Sequence, residues 1–142
     1  MKMSRWRALF WISLSELFAL SLWFSASAII HELKTVWTLS SMMQAWVTAS
    51  VQIGFITGAL ISFYLGLADR YNARKIFVIS ALLGAILNGS LILVDDAATG
   101  IALRFLTGIT LAGVYPTAVK LLSQWFPNKR GTAIGILIAA LT

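Results

Sequence analysis

Two ionisable residues stand deep inside apolar stretches of this 142-residue chain: Glu16, in the run from Ala8 to Ile30, and Arg104, in the run from about Ala97 to Phe126. A charge at the centre of a bilayer costs about 2.5–3.5 kcal/mol on insertion scales, so a residue kept there normally faces other helices or water. An acid within a span is the type that can take up and release a proton, and a guanidinium offers a planar fork of donors suited to a carboxylate. At helical rise, Glu16 lies about 12 Å from one boundary of its run and Arg104 about 10 Å from the opposite boundary. Plainer readings stay open for both. Glu16 can be held by Ser13 or Ser15, or paired with Arg104 for structure, and Arg104 can snorkel to the nearer surface. Lys120, close to the end of its run, reads as a snorkelling residue. Other chemistry is thinly supplied. There is no cysteine and one histidine, His31, so neither a zinc set nor a Ser-His pair is indicated, and no metal is expected. No Walker loop or dinucleotide fingerprint occurs, so no cofactor and no enzyme is expected.

The elements that position these residues are apolar runs. With 59% hydrophobic and 11% charged residues and a mean hydropathy of +0.86, the chain is neither an ordinary soluble domain, for which about 25% charge is usual, nor a disordered one. Crossing a hydrocarbon core of about 30 Å takes about 20 apolar residues. Four runs qualify, at about 8–30, 42–68, 76–94 and 97–126, and a fifth, 131–142, is cut short at Thr142. The expected fold is an all-α polytopic membrane bundle of four full transmembrane helices plus part of a fifth, an N-terminal piece of a longer protein. Continuous runs, without a period-two alternation, argue for helices over barrel strands. A signal peptide is a poor reading of the first run, which is longer than the usual 7 to 15 apolar residues and contains Glu16.

The net charge of +6 would suggest nucleic acid in a soluble domain, but its distribution indicates topology. Lys2, Arg5, Arg7, Arg70, Arg74, Lys75, Lys120, Lys129 and Arg130 fall at one end of the spans, against Lys34 at the other with Glu32, Asp95 and Asp96. The positive-inside rule places the N-terminus in the cytoplasm and makes a nucleic-acid partner unnecessary. Trp6, Trp11, Trp125 and Phe126 suit one aromatic belt, and Trp37 and Trp46 the other.

Small residues recur every four positions in the second run, at Ser50, Gly54, Gly58, Ser62 and Gly66, and again at Gly100, Gly108 and Ala112 and at Gly131, Gly135 and Ala139. In lipid, such rows let helix backbones approach closely. The stripe serves static packing or a surface that slides during a conformational cycle.

The joint Gly66-Leu67-Ala68-Asp69-Arg70-Tyr71-Asn72-Ala73-Arg74-Lys75 resembles the loop between helices two and three of the major facilitator superfamily, roughly G-x-L-A-D-R-x-G-R-[RK]. Leu67, Ala68, Asp69, Arg70 and Arg74 fit in register. Leu65 stands at the first glycine position with Gly66 one later, Asn72 replaces the second glycine and Ala73 an arginine. Asn tolerates positive φ better than other side chains, which would preserve a turn there. Arg104-Phe105-Leu106-Thr107-Gly108, followed by Ala112-Gly113, resembles the family's fourth-helix R-x-x-x-G pattern. Tyr115-Pro116 and Trp125-Phe126-Pro127-Asn128-Lys129-Arg130-Gly131 are similar to passages of bacterial members that carry organic anions and related solutes.

The resemblance implies a twelve-helix secondary carrier of the bacterial inner membrane that moves a small solute by alternating access. Its first half is built from inverted three-helix repeats, and its C-terminal half would be the partner of the loop formed by Asp69, Arg70, Arg74 and Lys75. It also implies that helices one and four line the cavity. Glu16 and Arg104 would then face each other across roughly 8 Å of depth, Glu16 as proton carrier and Arg104 as the contact for an anionic solute. Gln52 and Tyr115, with Gln44, Asn88 and Gln124, are further hydrogen-bonders for it. Gly54, Gly58, Gly66, Gly108 and Gly113 are packing positions. Two other readings stand beside this one: a four-helix proton-coupled multidrug exporter with one glutamate in helix one, and a noncatalytic membrane scaffold.

Overall fold

The computed structural model describes residues 4–141; Lys2, Thr142 and the side chains of Ala68 and Leu141 lie outside what is described. The described residues are mostly helical, with no strand among them, and four helices or helix pairs are long and apolar enough to cross a membrane. They are α1 (Arg5–Ala28), α3 (Ser41–Leu65), α5 (Ala73–Gly89) continued by a 3-10 turn at Ser90–Leu93, and the pair α6 (Ala97–Leu111) and α7 (Tyr115–Trp125). Short helices α2 (Ile30–Val36) and α4 (Leu67–Arg70) occupy joints, and α8 (Arg130–Leu141) follows the fourth span.

Each of the four spans opens on a polar cap, which satisfies a backbone donor that the helix itself leaves free. Ser4 Oγ accepts from Arg7 N at 3.4 Å, Ser40 Oγ from Met43 N at 3.3 Å, Asn72 Oδ1 from Arg74 N at 2.9 Å and Asp96 Oδ1 from Thr99 N at 2.9 Å. The caps place the starts of α1 and α5 three residues ahead of their apolar runs, that of α3 one residue ahead, and that of α6 at Ala97 where its run begins.

Three departures from the sequence-based boundaries have local causes. The second span stops at Leu65, not residue 68, because Gly66 takes the left-handed conformation, φ 60°. The joint after the first span is largely helical, as α2. The fourth run is two helices: at Ala112–Val114 the ladder tightens, with Gly113 N to Thr110 O and Val114 N to Leu111 O both at 3.0 Å. Pro116 then lacks the donor that would continue it. Thr117 Oγ1 lies 2.6 Å from the Gly113 carbonyl and 2.8 Å from that of Val114, which share its single hydroxyl proton at this joint.

The core is layered along the bundle. Nearest the basic end, Leu9, Ala118, Leu122, Phe126, Ala133 and Leu137 pack together; Ala19, Val51, Leu111 and Val114 follow; Ala26, Trp37, Leu39, Val47 and Ala97 close the acidic end. Trp37 is therefore buried, not a belt residue: its indole seats on Gly100 and its Nε1 donates to Val94 O at 2.8 Å. Phe126 is buried as well, edge-on to Trp6, whereas Trp6, Trp11 and Trp46 are exposed as a belt requires.

The α3–α6 pair is the most extensive contact in the bundle, and the small-residue stripe makes it. A Cβ on Gly54 would run into the Phe105 carbonyl, one on Gly58 into Ile109 and Ala112, and one on Gly108 into the Val51 carbonyl. Gly113 seats Ser80 of α5 in the same way. Gly131 and Gly135 face open space, so the row in α8 has no such partner among the described residues.

Candidate functional site

Arg104 is wholly buried, so it does not snorkel. One terminal nitrogen, NH1, donates to Leu22 O at 2.7 Å, to Asn88 Oδ1 at 3.2 Å and to Ser25 Oγ at 3.4 Å. NH2 donates to Trp23 O at 2.5 Å. Nε has no partner. A helix carbonyl has a second lone pair beside the one its own ladder uses, so α1 can receive the guanidinium without losing its helix. Thus Arg104 ties the fourth span to the first, with Asn88 bringing in the third.

The structural pairing of Arg104 with Glu16, one of the readings open from sequence, is not made. Glu16 is wholly buried on α1, and neither carboxyl oxygen has a hydrogen-bond partner. It lies seven residues before Trp23, about 10 Å along the helix axis, whereas the carbonyls of Leu22 and Trp23 are within reach of the guanidinium. Nor do the nearby serines hold it: Ser13 Oγ is itself buried without a partner, and Ser15 is exposed. Glu16 is thus an acid whose counter-charge or proton does not come from a described side chain.

At the basic end, Gly66 ends α3 and accepts from the amides of Asp69 and Arg70, both at 3.0 Å. A Cβ on Gly66 would meet only Arg70 Nε at 3.7 Å. The glycine is needed for its positive φ and not for space. Asn72 has φ −66° and caps α5, so it is not the positive-φ residue of the turn; that role falls to Gly66. Arg70, Arg74 and Lys75 are exposed. Lys120 does not simply snorkel: its Nζ meets Asp69 Oδ1 at 3.2 Å, linking the loop to the fourth span.

Gln52 is exposed on α3, Tyr115 half-buried at the start of α7, and Gln124 exposed near its end. These residues are spread along the bundle and do not join Arg104 in one cluster. Ser25 and Asn88 are the residues that sequence reasoning undervalued. The available signal was depth: Arg104 is seven residues into its run, Asn88 six from the end of the third and Ser25 five from the end of the first. All three therefore lie about 8–10 Å from the same boundary.

Residues 9–142 match the model of the Major Facilitator Superfamily. The chain belongs to that superfamily. It is a multi-pass membrane protein of a transporter family, not an enzyme, and the four-helix exporter reading is set aside. A Bacillus subtilis (strain 168) protein, NiaP, named provisionally as a niacin/nicotinamide transporter, is 36% identical over 78% of this chain and 28% of its own length. The niacin transporter NiaP of Acinetobacter baylyi is 30% identical over 71% of this chain and 23% of its own. The 3-(3-hydroxy-phenyl)propionate transporter of Escherichia coli K12 is 28% identical over 70% and 24%. The chain thus spans about a quarter of the length of these relatives. No solved structure matches it.

Proposed function

We propose that these residues form most of the first half of a secondary carrier that moves a small aromatic carboxylate across the bacterial inner membrane by alternating access, with the N-terminus cytoplasmic. The solute class is drawn from the relatives, two named for niacin and one for a phenylpropionate. One observation supports ion coupling: Glu16, a buried acid in a span, has no hydrogen-bond partner among the described residues, and acids within spans mark proton relays. Arg104, its terminal nitrogens already donating to protein acceptors, holds the helix that carries Glu16 and leaves the solute to other polar groups. Gln52 and Tyr115 are the candidates on the described chain. Asp69, Arg70, Arg74 and Lys75 face the C-terminal half of the carrier at the cytoplasmic gate.

The test is Glu16→Gln in the intact carrier, reconstituted in liposomes with labelled nicotinate as probe. Proton-driven accumulation should be lost, while exchange of nicotinate across the membrane without a gradient continues. Normal accumulation by the variant overturns the coupling role, and absence of nicotinate movement by the wild-type carrier overturns the solute class.

A further inference from the structure

The amide of Asn88 sits where three spans meet. Its Oδ1 is 2.8 Å from Ser25 Oγ on α1 and 3.2 Å from the Arg104 NH1 on α6. A guanidinium only donates, so the amide must turn its oxygen toward it. Ser25 has one hydroxyl proton and two acceptors in reach, Leu22 O at 2.9 Å and Asn88 Oδ1 at 2.8 Å. The Leu22 carbonyl already receives Arg104 NH1 at 2.7 Å, so the hydroxyl is free to serve Asn88.

The geometry points to Asn88 as a positioning residue that aims the Arg104 guanidinium at two consecutive carbonyls of α1. A guanidinium is flat, and its two terminal nitrogens can reach the carbonyls of Leu22 and Trp23 together only in a narrow range of orientations. Two contacts on one helix leave the plane able to pivot about the line joining them. An acceptor from a third helix removes that freedom. The consequence is a clamp that makes the first, third and fourth spans turn as one body near the acidic end. Asn88 also lines a cavity of about 330 Å³ with Ser25, Leu33, Trp37 and Asp95. If the acceptor is lost, water entering there competes for the guanidinium and loosens its hold on α1.

The assignment rests on the carrier reading only for its transport readout. In the intact carrier, Asn88→Leu removes the acceptor at similar size, and Asn88→Asp keeps it and balances the guanidinium's charge. For nicotinate, Asn88→Leu should lower the maximal rate about tenfold with KM changed less than twofold, and Asn88→Asp should keep at least half the rate. The second arm is thermal unfolding of the purified carrier. Asn88→Leu should lower the midpoint, Asn88→Asp should not, and Asn88→Leu should lower it no further when Arg104 is already methionine. If the wild-type carrier does not move nicotinate, the solute class fails and this unfolding cycle alone decides the positioning role. Asn88→Leu failing to fold while Asn88→Asp folds and works supports the assignment. Leu and Asp variants behaving alike, effects that add in the Arg104→Met background, or a raised KM at unchanged maximal rate each overturn it.

Discussion

Replacing Gly58 by alanine adds one methyl group where α3 crosses α6. An ideal Cβ there lies 2.6 Å from the Ile109 carbonyl oxygen, 2.8 Å from Ile109 Cα and 2.9 Å from Ala112 Cβ, while ordinary contact begins at 3.4 Å. Relieving the closest approach requires the helices to part by about 0.8 Å at that point. Two of the three obstructing atoms are backbone and cannot swing aside, so the cost falls in the upper part of the roughly 1–3 kcal/mol typical of overpacking. Alanine's better helix propensity returns up to about 1 kcal/mol. The net loss is about 1–2 kcal/mol, a factor of roughly 5–30 in the folding equilibrium. It is read from the unfolding of the protein in mild detergent titrated with sodium dodecyl sulfate, followed by far-ultraviolet circular dichroism. The atoms that a new methyl would meet also rank the glycines. Gly54→Ala and Gly108→Ala, which drive a methyl into the carbonyls of Phe105 and Val51, should cost more than Gly58→Ala. Gly84→Ala, facing Thr110 Oγ1 at 2.9 Å and Leu22 Cδ1 at 3.4 Å, should cost less, because those side chains can rotate. Gly89→Ala meets nothing within 4 Å and should cost nothing. A Gly58→Ala midpoint at or above wild type, or a smaller loss at Gly54 than at Gly84, refutes the close-packed seam.

The proposed orientation predicts that cysteines at Tyr71 and Asn128 react with an impermeant maleimide only after permeabilisation. Cysteines at Thr35 and Ala98 should react in intact cells. All four positions are exposed, so the reverse pattern means the reverse topology. Asp96 has its carboxyl pulled below the ordinary 3.8, chiefly by the backbone hydrogen bond from Thr99. A depressed folded value stabilises above the unfolded one and is lost as pH falls through it. Asp96→Asn keeps the cap without the charge, so its difference in unfolding midpoint from wild type should be constant near neutrality and shrink below about pH 4. A difference unchanged down to pH 2.5 removes the carboxylate from the account of how α6 begins.

Features that depend on side-chain type or apolar length were legible in the chain, and those that depend on backbone acceptors were not. Runs of apolar residues announce spans because lipid demands length. The row from Ser50 to Gly66 announces a seam because small side chains in lipid have little use except to bring backbones together. Gly66 and Asn72 show where such reading weakens. Both tolerate positive φ, and only the end of α3 determines that Gly66 adopts it while Asn72 caps α5.

Arg104 shows a deeper reason. Sequence displays ionisable side chains, so Glu16, the one acid within a span, draws the eye as its partner. The acceptors used are carbonyls, which every residue carries and no letter marks. Inside lipid this outcome is favoured on general grounds. A carbonyl brings no charge to desolvate, whereas an acid recruited as partner must itself be stripped of water. The Lys120–Asp69 pair fits the same rule from the other side. Its acid is exposed at the end of the bundle, where a carboxylate keeps its water and a side chain can reach it at little cost. Counting acids against bases therefore overpredicts ion pairs within spans. Glu16 is the acid that this count leaves over among the described residues, which is why the proposed function gives it the proton and leaves Arg104 to the carbonyls.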